Sequence, residues 1–481
     1  MLVNSVVFWM FFLVVLIPYF SVMRENFSYQ NVWLLLASYF FYGYADWRMV
    51  PLLLVATAVF FFLGLRIGKT SNVESREDGG QGRRRLLLTV GAVAGVGMLL
   101  YFKYMNFFIE QFATLFSLAG MKTNWSSFNI VVPIGISFFT FKLIAYLVEV
   151  YKGNMEPVNN FVTFATYVAF FPTIMSGPID SPRMFIPQLG KSRQWENGRV
   201  AEGAKRVLWG LFLKMCIADK VSGYTDAVFD NAYHHNATSI IVASVLYTFQ
   251  IYADFSGYSE MAIGTSQVLG IRVTENFLRP YFSQNVGEFW RRWHASLMNW
   301  FRDYVYFPLG GSRCAKWKMY RNTLAVFLVS GLWHGANWTF VFWGVYHGVL
   351  VCLQKLFGRK QPKGVAVPPR PFFRRYANAL IVFVLVTIGW QVFRCHSFAQ
   401  FAGLWQRMFL GFGPVFKSWA LMGFIPIFIM LMKELKDEEG WNIHLLHSSR
   451  LWVQVVSFAL LTVFVLYFGE LEGGSFIYFQ F

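Results

Sequence analysis

Long apolar runs recur along the chain and are separated by short polar segments, many of them basic. A helix needs about 20 apolar residues to cross the hydrocarbon of a bilayer, and several runs approach that length. The runs predict helices over Ser5–Val22, Val32–Tyr44, Val50–Leu65, Leu86–Phe102, Ile130–Val150, Phe161–Met175, Val207–Ala218, Ile240–Ala253, Asn322–Leu332, Thr339–Leu356, Ala377–Phe393, Trp419–Met432 and Leu451–Tyr467.

Several of these predicted helices are too short to cross a bilayer alone. Lipid cannot satisfy free backbone groups, so a short helix at membrane depth must be buried in protein or line a cavity. The pattern predicts an all-α polytopic membrane protein, an irregular bundle of roughly 11–13 transmembrane or re-entrant helices around an internal space. The sequence shows no repeat of the kind that builds secondary transporters.

The composition favours a membrane protein over a set of soluble domains. Of the 481 residues, 56% are hydrophobic and 14% are charged, and the mean hydropathy is +0.43. Soluble domains carry about 25% charged residues. The first apolar run, Leu2–Met23, lacks a basic start and a small-residue cleavage site, so we expect a retained transmembrane helix rather than a signal peptide.

The net charge of +17 lies mainly in loops that flank apolar runs, over residues 66–85, 183–206, 272–321 and 355–375. The positive-inside rule explains this distribution more simply than nucleic-acid binding does. We therefore expect these loops in the cytoplasm, the N-terminus outside, and no nucleic-acid partner. The side of the C-terminus stays open, because the loop Lys433–Glu439 carries charges of both signs.

Two polar stretches, Ser71–Arg85 and Lys360–Pro371, predict linkers because neither can bury a core. The second divides the chain into a membrane-embedded core over 1–357, a basic Pro-rich cytoplasmic linker over 358–375, and C-terminal transmembrane helices over 376–481. The four cysteines stand singly, so neither a disulfide nor a metal site is expected.

Acidic and hydroxyl residues interrupt the apolar run that leads into Asp254-Phe-Ser-Gly-Tyr-Ser259 and Glu260. Ionisable groups at membrane depth are costly and are usually functional. The alternative is that Asp254 caps a helix that starts near Gly257. Both interpretations of Asp254 stay open, and they do not exclude each other.

Residues 288–304 predict one amphipathic helix at the cytoplasmic interface. Aromatic and apolar residues form a stripe at helical spacing, and the polar residues fall mostly away from it. The stripe comprises Phe289, Trp290, Trp293, Leu297, Trp300 and Tyr304; the polar set comprises Arg291, Arg292, His294, Asn299 and Arg302. The arginines fit either anionic lipid headgroups or the phosphates of a large anionic donor. An interfacial helix does not explain His294.

The strongest feature is the polar island His334-Gly-Ala-Asn337, which lies between two apolar runs with basic outer ends. If both flanking loops are cytoplasmic, the two runs form a hairpin, with His334 near its turn and deep in the membrane. A neutral imidazole at that position can act as a base. His347, in the returning helix, is more simply read as a buried supporting residue.

These motifs resemble those of the membrane-bound O-acyltransferase (MBOAT) family, and within it the branch of alginate O-acetylation and teichoic-acid D-alanylation proteins. The motifs run in the same order over nearly the whole chain. They are Pro133–Phe141 (PIGISFFTF), Phe171–Pro178 (FPTIMSGP), Asp254–Ser259 (DFSGYS), Glu288–His294 (EFWRRWH), Arg302–Tyr304 (RDY), Gly331–Gly335 (GLWHG) and Phe476–Phe481 (FIYFQF).

The resemblance implies that His334 is the catalytic histidine and that His294 is the family's second polar position, both near the narrow part of a funnel or tunnel. It implies a cytoplasmic thioester donor, acetyl-CoA or an acyl-carrier protein, and no permanently bound cofactor. It also implies an extracytoplasmic SGNH-type partner, a polysaccharide acceptor, and a multi-pass location in the bacterial cytoplasmic (inner) membrane.

Acyl transfer from a thioester needs a base and groups that stabilise an oxyanion. The simplest mechanism is direct transfer with His334 as base and His294 as helper or proton relay; an acyl-histidine intermediate is the alternative. D-alanyl transfer is a second possible activity, and a transporter a more remote third. The predicted supporting residues are Asp254, Asn337, Arg302, Asp303 and His347, and the predicted donor-binding residues are Arg291, Arg292, Trp293 and Trp333.

Overall fold

The structure, a computed structural model, describes residues 1–72, 79–121, 127–358, 371–471, 473–474 and 476–477. Every regular element in these ranges is helical. The α-helices are α1 (Val6–Phe20), α2 (Phe27–Asp46), α3 (Val50–Asn72), α4 (Gly79–Leu99), α5 (Met105–Leu118), α6 (Ile136–Tyr151), α7 (Phe161–Ala169), α8 (Pro182–Phe185), α9 (Asn197–Leu211), α10 (Asp219–Asp230), α11 (Ala237–Val268), α12 (Val286–Arg292), α13 (Ala295–Phe301), α14 (Lys316–His334), α15 (Trp338–Phe357), α16 (Phe372–Arg394), α17 (Phe398–Met408), α18 (Phe424–Glu439) and α19 (Leu451–Phe468).

Short helical turns of other types join several of these helices. The π-helical turns are Leu100–Tyr104, Phe212–Ala218 and Arg302–Tyr306. The 3-10 turns are Trp47–Met49, Ile186–Gly190, Ala232–His234, Pro280–Phe282 and Ser418–Gly423.

Seven helical stretches among the described residues are long and apolar enough to cross a membrane. They are Phe27–Lys69, Gly80–Leu118, Ala237–Val268, Trp338–Phe357, Phe372–Arg394, Ser418–Glu439 and Leu451–Phe468. The prediction of an all-α polytopic membrane protein is therefore confirmed. The remaining helices include apolar ones that are shorter, such as α1 with 15 residues.

The helices α5, α10 and α17 are among those that do not follow from the apolar runs. Each carries polar residues on one face, such as Glu110 in α5 and Asp226 in α10. Unbroken apolar stretches do not reveal such helices, because their apolar residues recur at helical spacing and do not form a continuous stretch. They can be recognised only from the spacing of their apolar positions.

Helix also replaces part of the first predicted linker, Ser71–Arg85. The preceding helix α3 reaches Asn72, and α4 already begins at Gly79. Residues 73–78 lie outside the described residues. Most of the second predicted linker, residues 360–370 of Lys360–Pro371, lies outside them as well.

The chain divides into two compact units. The first comprises Met1–Ala204 and Ala262–Thr274, and the second comprises Lys205–Met261 and Glu275–Phe481. All the predicted site residues belong to the second unit. The predicted boundary at 358–375 falls largely on residues that the structure does not describe, so it stays a prediction.

Close backbone approach organises the second unit where α9 meets α11. A β-carbon at Gly210 would lie 2.7 Å from the carbonyl oxygen of Gly257, and one at Gly257 would lie 2.8 Å from the carbonyl oxygen of Gly210. Only glycine permits this approach without displacement of the helices. The contact places the π-helical turn that contains Lys214 directly against α11.

Candidate active site

His334 is the last residue of α14, and an extended Gly335 leads towards α15. The two helices form an antiparallel hairpin, as the sequence predicts. Gly331 and Gly344 lie at their contact, where a β-carbon at either position would overlap a backbone carbonyl oxygen of the facing helix. The hairpin therefore holds His334 at its turn by direct packing of backbone against backbone.

Aromatic rings surround His334, which is 4% exposed. The centroid of its imidazole lies 4.9 Å from that of Trp333, 4.9 Å from that of Trp343 and 5.2 Å from that of Phe393, and all three contacts are edge-to-face. Such a lining keeps water away from the ring. In low-dielectric surroundings the interactions of a polar group with a reacting atom are stronger than in water.

His294 lies in a break between α12 and α13, so the prediction of one helix through residues 288–304 is wrong. Its φ of 45° places it in the left-handed region. This conformation costs a non-glycine residue about 1–3 kcal/mol and persists only where the surroundings impose it. The break turns the side chain inwards, and His294 is 1% exposed. A continuous helix would have carried it away from the aromatic stripe.

The aromatic stripe itself faces the protein interior and not a membrane surface. Phe289, Trp290, Trp293, Leu297 and Trp300 are all buried within the protein. Trp293 packs against Trp390, with ring centroids 4.7 Å apart. The interfacial-helix interpretation is therefore wrong for this face of the segment, and Phe289, Trp290 and Trp293 belong to the hydrophobic core of the second unit.

A hydrogen bond to Asn276 holds the imidazole of His294. Nδ1 of His294 lies 3.0 Å from Oδ1 of Asn276. Complete burial lowers the pKa of His294, which lies outside the candidate membrane spans, from 6.5 to about 3. Desolvation disfavours the charged form, so the ring is neutral at physiological pH.

Trp333 is a common neighbour of the two histidines, which therefore lie in one site. Its ring centroid lies 6.0 Å from that of His294 and 4.9 Å from that of His334. The two imidazoles come from different elements, forty residues apart, and share this indole as a neighbour. A buried, aromatic-lined site with two histidines can move protons between bound reactants while bulk water is excluded.

Asp254 lies in the interior of α11, so the alternative that it caps a helix is wrong. Its Oδ1 lies 2.7 Å from Nζ of Lys214, and its Oδ2 accepts a hydrogen bond from the backbone N–H of Ile477 at 2.8 Å. Lys214 also pairs with Asp219 at 2.8 Å. Asp254 therefore links α11 to the π-helical turn and to the C-terminal segment.

The two predicted donor-binding arginines differ in their surroundings. Arg292 forms a bidentate pair with Glu438, with both N–O distances at 2.9 Å, and it also pairs with Glu288 at 2.7 Å. Arg291 is exposed. A guanidinium that already holds two carboxylates has little capacity for phosphates. Donor binding by these arginines stays a prediction, and the geometry favours Arg291.

The remaining supporting residues have defined local contacts. Arg302 and Asp303 pair with each other at 2.8 Å on a partly exposed surface. Asn337 caps α15: its side-chain oxygen accepts a hydrogen bond from the backbone N–H of Thr339, and its amide nitrogen donates to the carbonyl oxygen of His396 at 2.9 Å. Asn337 thus fixes the turn that follows His334.

His347 is fully buried among aromatic rings of the second unit. Its ring centroid lies 4.9 Å from that of Trp290 and 5.0 Å from that of Trp343. Its Nε2 abuts α16 at Gly389, where a β-carbon would overlap it. These contacts fit a supporting residue that packs behind the site.

No metal centre appears in the part of the chain that the structure describes. No three His, Cys, Asp or Glu side chains come together there in a way that could hold a metal ion. The four cysteines, Cys216, Cys314, Cys352 and Cys395, are free thiols.

Two residues that hold the predicted site residues, Asn276 and Lys214, are not identified by the sequence patterns. Both are polar, both are buried, and each holds a predicted site residue. Lys214 is a cation inside an apolar stretch, and charged residues at membrane depth are usually functional. Its charge is therefore the signal by which the sequence could have identified it. Asn276 carries no such signal, because asparagine is common in loops.

The chain is similar to proteins of one known enzyme family. The model of the MBOAT, membrane-bound O-acyltransferase, family matches residues 154–398. A protein named probable alginate O-acetylase of Pseudomonas aeruginosa is 37% identical over 412 residues, which cover 85% of this chain and 75% of the relative.

Two further relatives carry other names. A peptidoglycan O-acetyltransferase of Helicobacter pylori is 33% identical over 399 residues, which cover 78% of this chain and 72% of the relative. A teichoic acid D-alanyltransferase of Bacillus subtilis is 30% identical over 277 residues, which cover 55% of this chain and 69% of the relative. The family match spans half of the chain and includes both histidines, and the chain therefore belongs to the membrane-bound O-acyltransferase family, as an O-acyltransferase of multi-pass membrane architecture.

Proposed function

We propose that this O-acyltransferase takes an acetyl group from a cytoplasmic thioester, acetyl-CoA, and passes it across the bacterial inner membrane for O-acetylation of an extracytoplasmic polysaccharide. The observation that carries the proposal is the pair of buried histidines, His294 and His334, which both neighbour Trp333. An SGNH-type partner on the outer side completes the transfer onto the sugar.

His334 is the base in the proposed reaction. It takes the proton of the acceptor hydroxyl as the oxygen attacks the thioester carbonyl. The new C–O bond forms, the C–S bond breaks, and the thiolate receives the proton. His294 relays this proton between the acceptor side and the thiol side.

The donor is expected to approach from the cytoplasm. The basic loops predict that side for residues 272–321, which contain α12, α13 and the start of α14. Arg291 is exposed on this segment and fits the phosphates of coenzyme A. Trp333 lies further in, against both histidines, where the acyl group must arrive.

The share of this chain that each relative matches favours acetyl transfer over D-alanyl transfer. The alginate-type relative matches over 85% of this chain, and the D-alanyltransferase matches over 55%. D-alanyl transfer uses a thioester on a carrier protein, so the two activities differ in the donor that is recognised. They share the same acyl chemistry at the histidines.

The experiment supplies purified protein in lipid vesicles with the SGNH-type partner and a polysaccharide acceptor, adds either acetyl-CoA or a carrier protein charged with D-alanine, and measures thiol release. Release from acetyl-CoA alone is expected, and release from the charged carrier alone would overturn the acetyl assignment. His334→Ala is expected to abolish release while the protein still folds. The matched control is His444→Ala, which removes an exposed histidine and should leave the rate unchanged. Normal turnover in His334→Ala would refute the role of His334.

A further inference from the structure

The side chain of Asn276 makes four hydrogen bonds, three of them to the turn that carries His294 and one to α11. Its Oδ1 lies 3.0 Å from Nδ1 of His294, and it accepts hydrogen bonds from the backbone N–H and the hydroxyl of Ser296 at 3.3 and 2.9 Å. Its amide nitrogen donates to the hydroxyl of Ser259 at 3.1 Å. Asn276 and its three partners are all buried.

These contacts decide the orientation of the Asn276 amide. A backbone N–H can only donate, so the atom that faces the N–H of Ser296 must be the oxygen. Amide orientations in structures are assigned from such networks, and this network permits one assignment. The atom beside Nδ1 of His294 is therefore an acceptor.

The orientation of Asn276 in turn decides the tautomer of His294. An amide oxygen has no hydrogen to donate, so Nδ1 of His294 must carry the proton in their shared bond. A neutral imidazole has one N–H, and its other nitrogen keeps a lone pair. Nε2 of His294 is therefore the basic nitrogen.

The backbone of Asn276 is also hydrogen-bonded to this turn. Its carbonyl oxygen accepts a hydrogen bond from the N–H of Ala295 at 2.9 Å, one residue after the left-handed His294. The strained conformation and the imidazole orientation are thus held by one residue. Strain of this kind is usually retained where it places a functional group.

We propose that Asn276 is a positioning residue for acyl transfer, which holds His294 in the Nδ1–H form so that Nε2 takes up and returns the proton. This inference rests on the proposed role of His294. When Nε2 accepts the proton that His334 has taken from the acceptor hydroxyl, the ring of His294 becomes an imidazolium whose Nδ1–H stays bonded to Asn276. The proton then leaves from Nε2 to the thiolate, and the neutral ring is restored.

The tautomer is measured directly by nitrogen NMR of protein with 15N-labelled histidine. The His294→Gln variant identifies the resonances of His294. A protonated Nδ1 and an unprotonated Nε2 are expected at neutral pH. The opposite tautomer would overturn the inference, whatever the activity of the protein.

The activity test compares Asn276→Asp with Asn276→Ala. Aspartate keeps the acceptor beside Nδ1, and alanine removes it. We expect Asn276→Ala to lower kcat by about 100-fold with little change in KM, and Asn276→Asp to retain much more activity. The new carboxylate should also move the pH–rate profile, because it stabilises the imidazolium.

A purely structural role for Asn276 predicts the reverse order. Burial of a carboxylate is more costly than burial of a methyl group, so Asn276→Asp would then be the worse variant. An activity of Asn276→Ala equal to or above that of Asn276→Asp would overturn the inference. The matched control is the same pair of substitutions at Asn31, a buried asparagine of the first unit, where kcat per folded molecule should not change.

The failure of this inference can be told apart from failure of the proposed function. Full activity in His294→Gln would remove His294 from the mechanism, and would leave the tautomer result intact. A loss of activity in His294→Gln together with an Nε2–H tautomer would retain the histidine and dismiss Asn276 as its positioning residue.

Discussion

The ammonium group of Lys214 lies 2.7 Å from the carboxylate of Asp254, inside the second unit and out of contact with bulk water. The pair joins the π-helical turn to α11. Asp254 also bonds the backbone of Ile477, and Lys214 donates to the carbonyl oxygen of Gly474 at 3.2 Å. One ion pair therefore ties three separate parts of the chain together.

Removal of the cation should destabilise the protein strongly. Lys214→Ala leaves Asp254 and Asp219 buried without their shared partner, and loss of one member of a buried pair costs about 3–5 kcal/mol. Thermal unfolding in detergent should show a large fall in Tm. The control is Lys433→Ala, since Lys433 pairs with Asp437 at a partly exposed site and surface pairs contribute about 0–1 kcal/mol. Equal Tm losses in the two variants would contradict this prediction.

A methyl group at the hairpin contact should impair catalysis. In Gly331→Ala the new β-carbon overlaps a backbone carbonyl oxygen of α15, so the helices must separate and His334 must move. A displacement of about 1 Å at a catalytic group lowers kcat by up to about 100-fold. Turnover should fall while the protein remains folded. The matched control is Gly97→Ala in α4, where a β-carbon meets open space; an equal loss of activity there would refute the packing argument.

The neutral His294 should make stability depend on pH. Its pKa in the folded protein is about 3, below the ordinary 6.5, so the unfolded chain binds more protons between these two values. The contribution of His294 to the free energy of unfolding is fully present above pH 6.5. It is lost as the pH falls towards 3, at up to about 1.4 kcal/mol per pH unit. Unfolding measured between pH 7 and pH 5 should show a smaller slope in His294→Gln. An unchanged slope would contradict the buried neutral ring.

The two neighbouring arginines should respond differently to truncation. Arg292→Ala removes the pairs to Glu288 and Glu438 and should lower Tm. Arg291→Ala should leave Tm nearly unchanged and raise the KM for the thioester donor, because exposed Arg291 is the one placed to meet phosphates. KM and Tm measured for both variants separate the roles. A rise in KM confined to Arg292→Ala would reverse the assignment.

Local patterns in the sequence predict the α14–α15 hairpin well. The apolar runs, the polar island and the basic outer ends all lie within one stretch of chain, so the position of His334 at a turn follows from them. The glycines that let the helices touch are part of the same stretch. In this part of the fold, local signals and tertiary packing agree.

Contacts between distant parts of the chain could not be predicted in the same way. The helical wheel of residues 288–304 assumes an unbroken helix, and the break at His294 depends on Asn276, which lies eighteen residues earlier. The partner of Asp254 is Lys214, forty residues earlier. Such pairs leave no periodic pattern, so only the three-dimensional structure reveals them.

The backbone contact between Gly331 and Gly344 has a consequence for how the enzyme works. Two helices whose main chains touch cannot slide or rotate past each other without a collision of carbonyl groups. Any motion that carries His334 must carry α15 with it. The base therefore stays where the hairpin places it, and the thioester and the hydroxyl must each travel to the histidine.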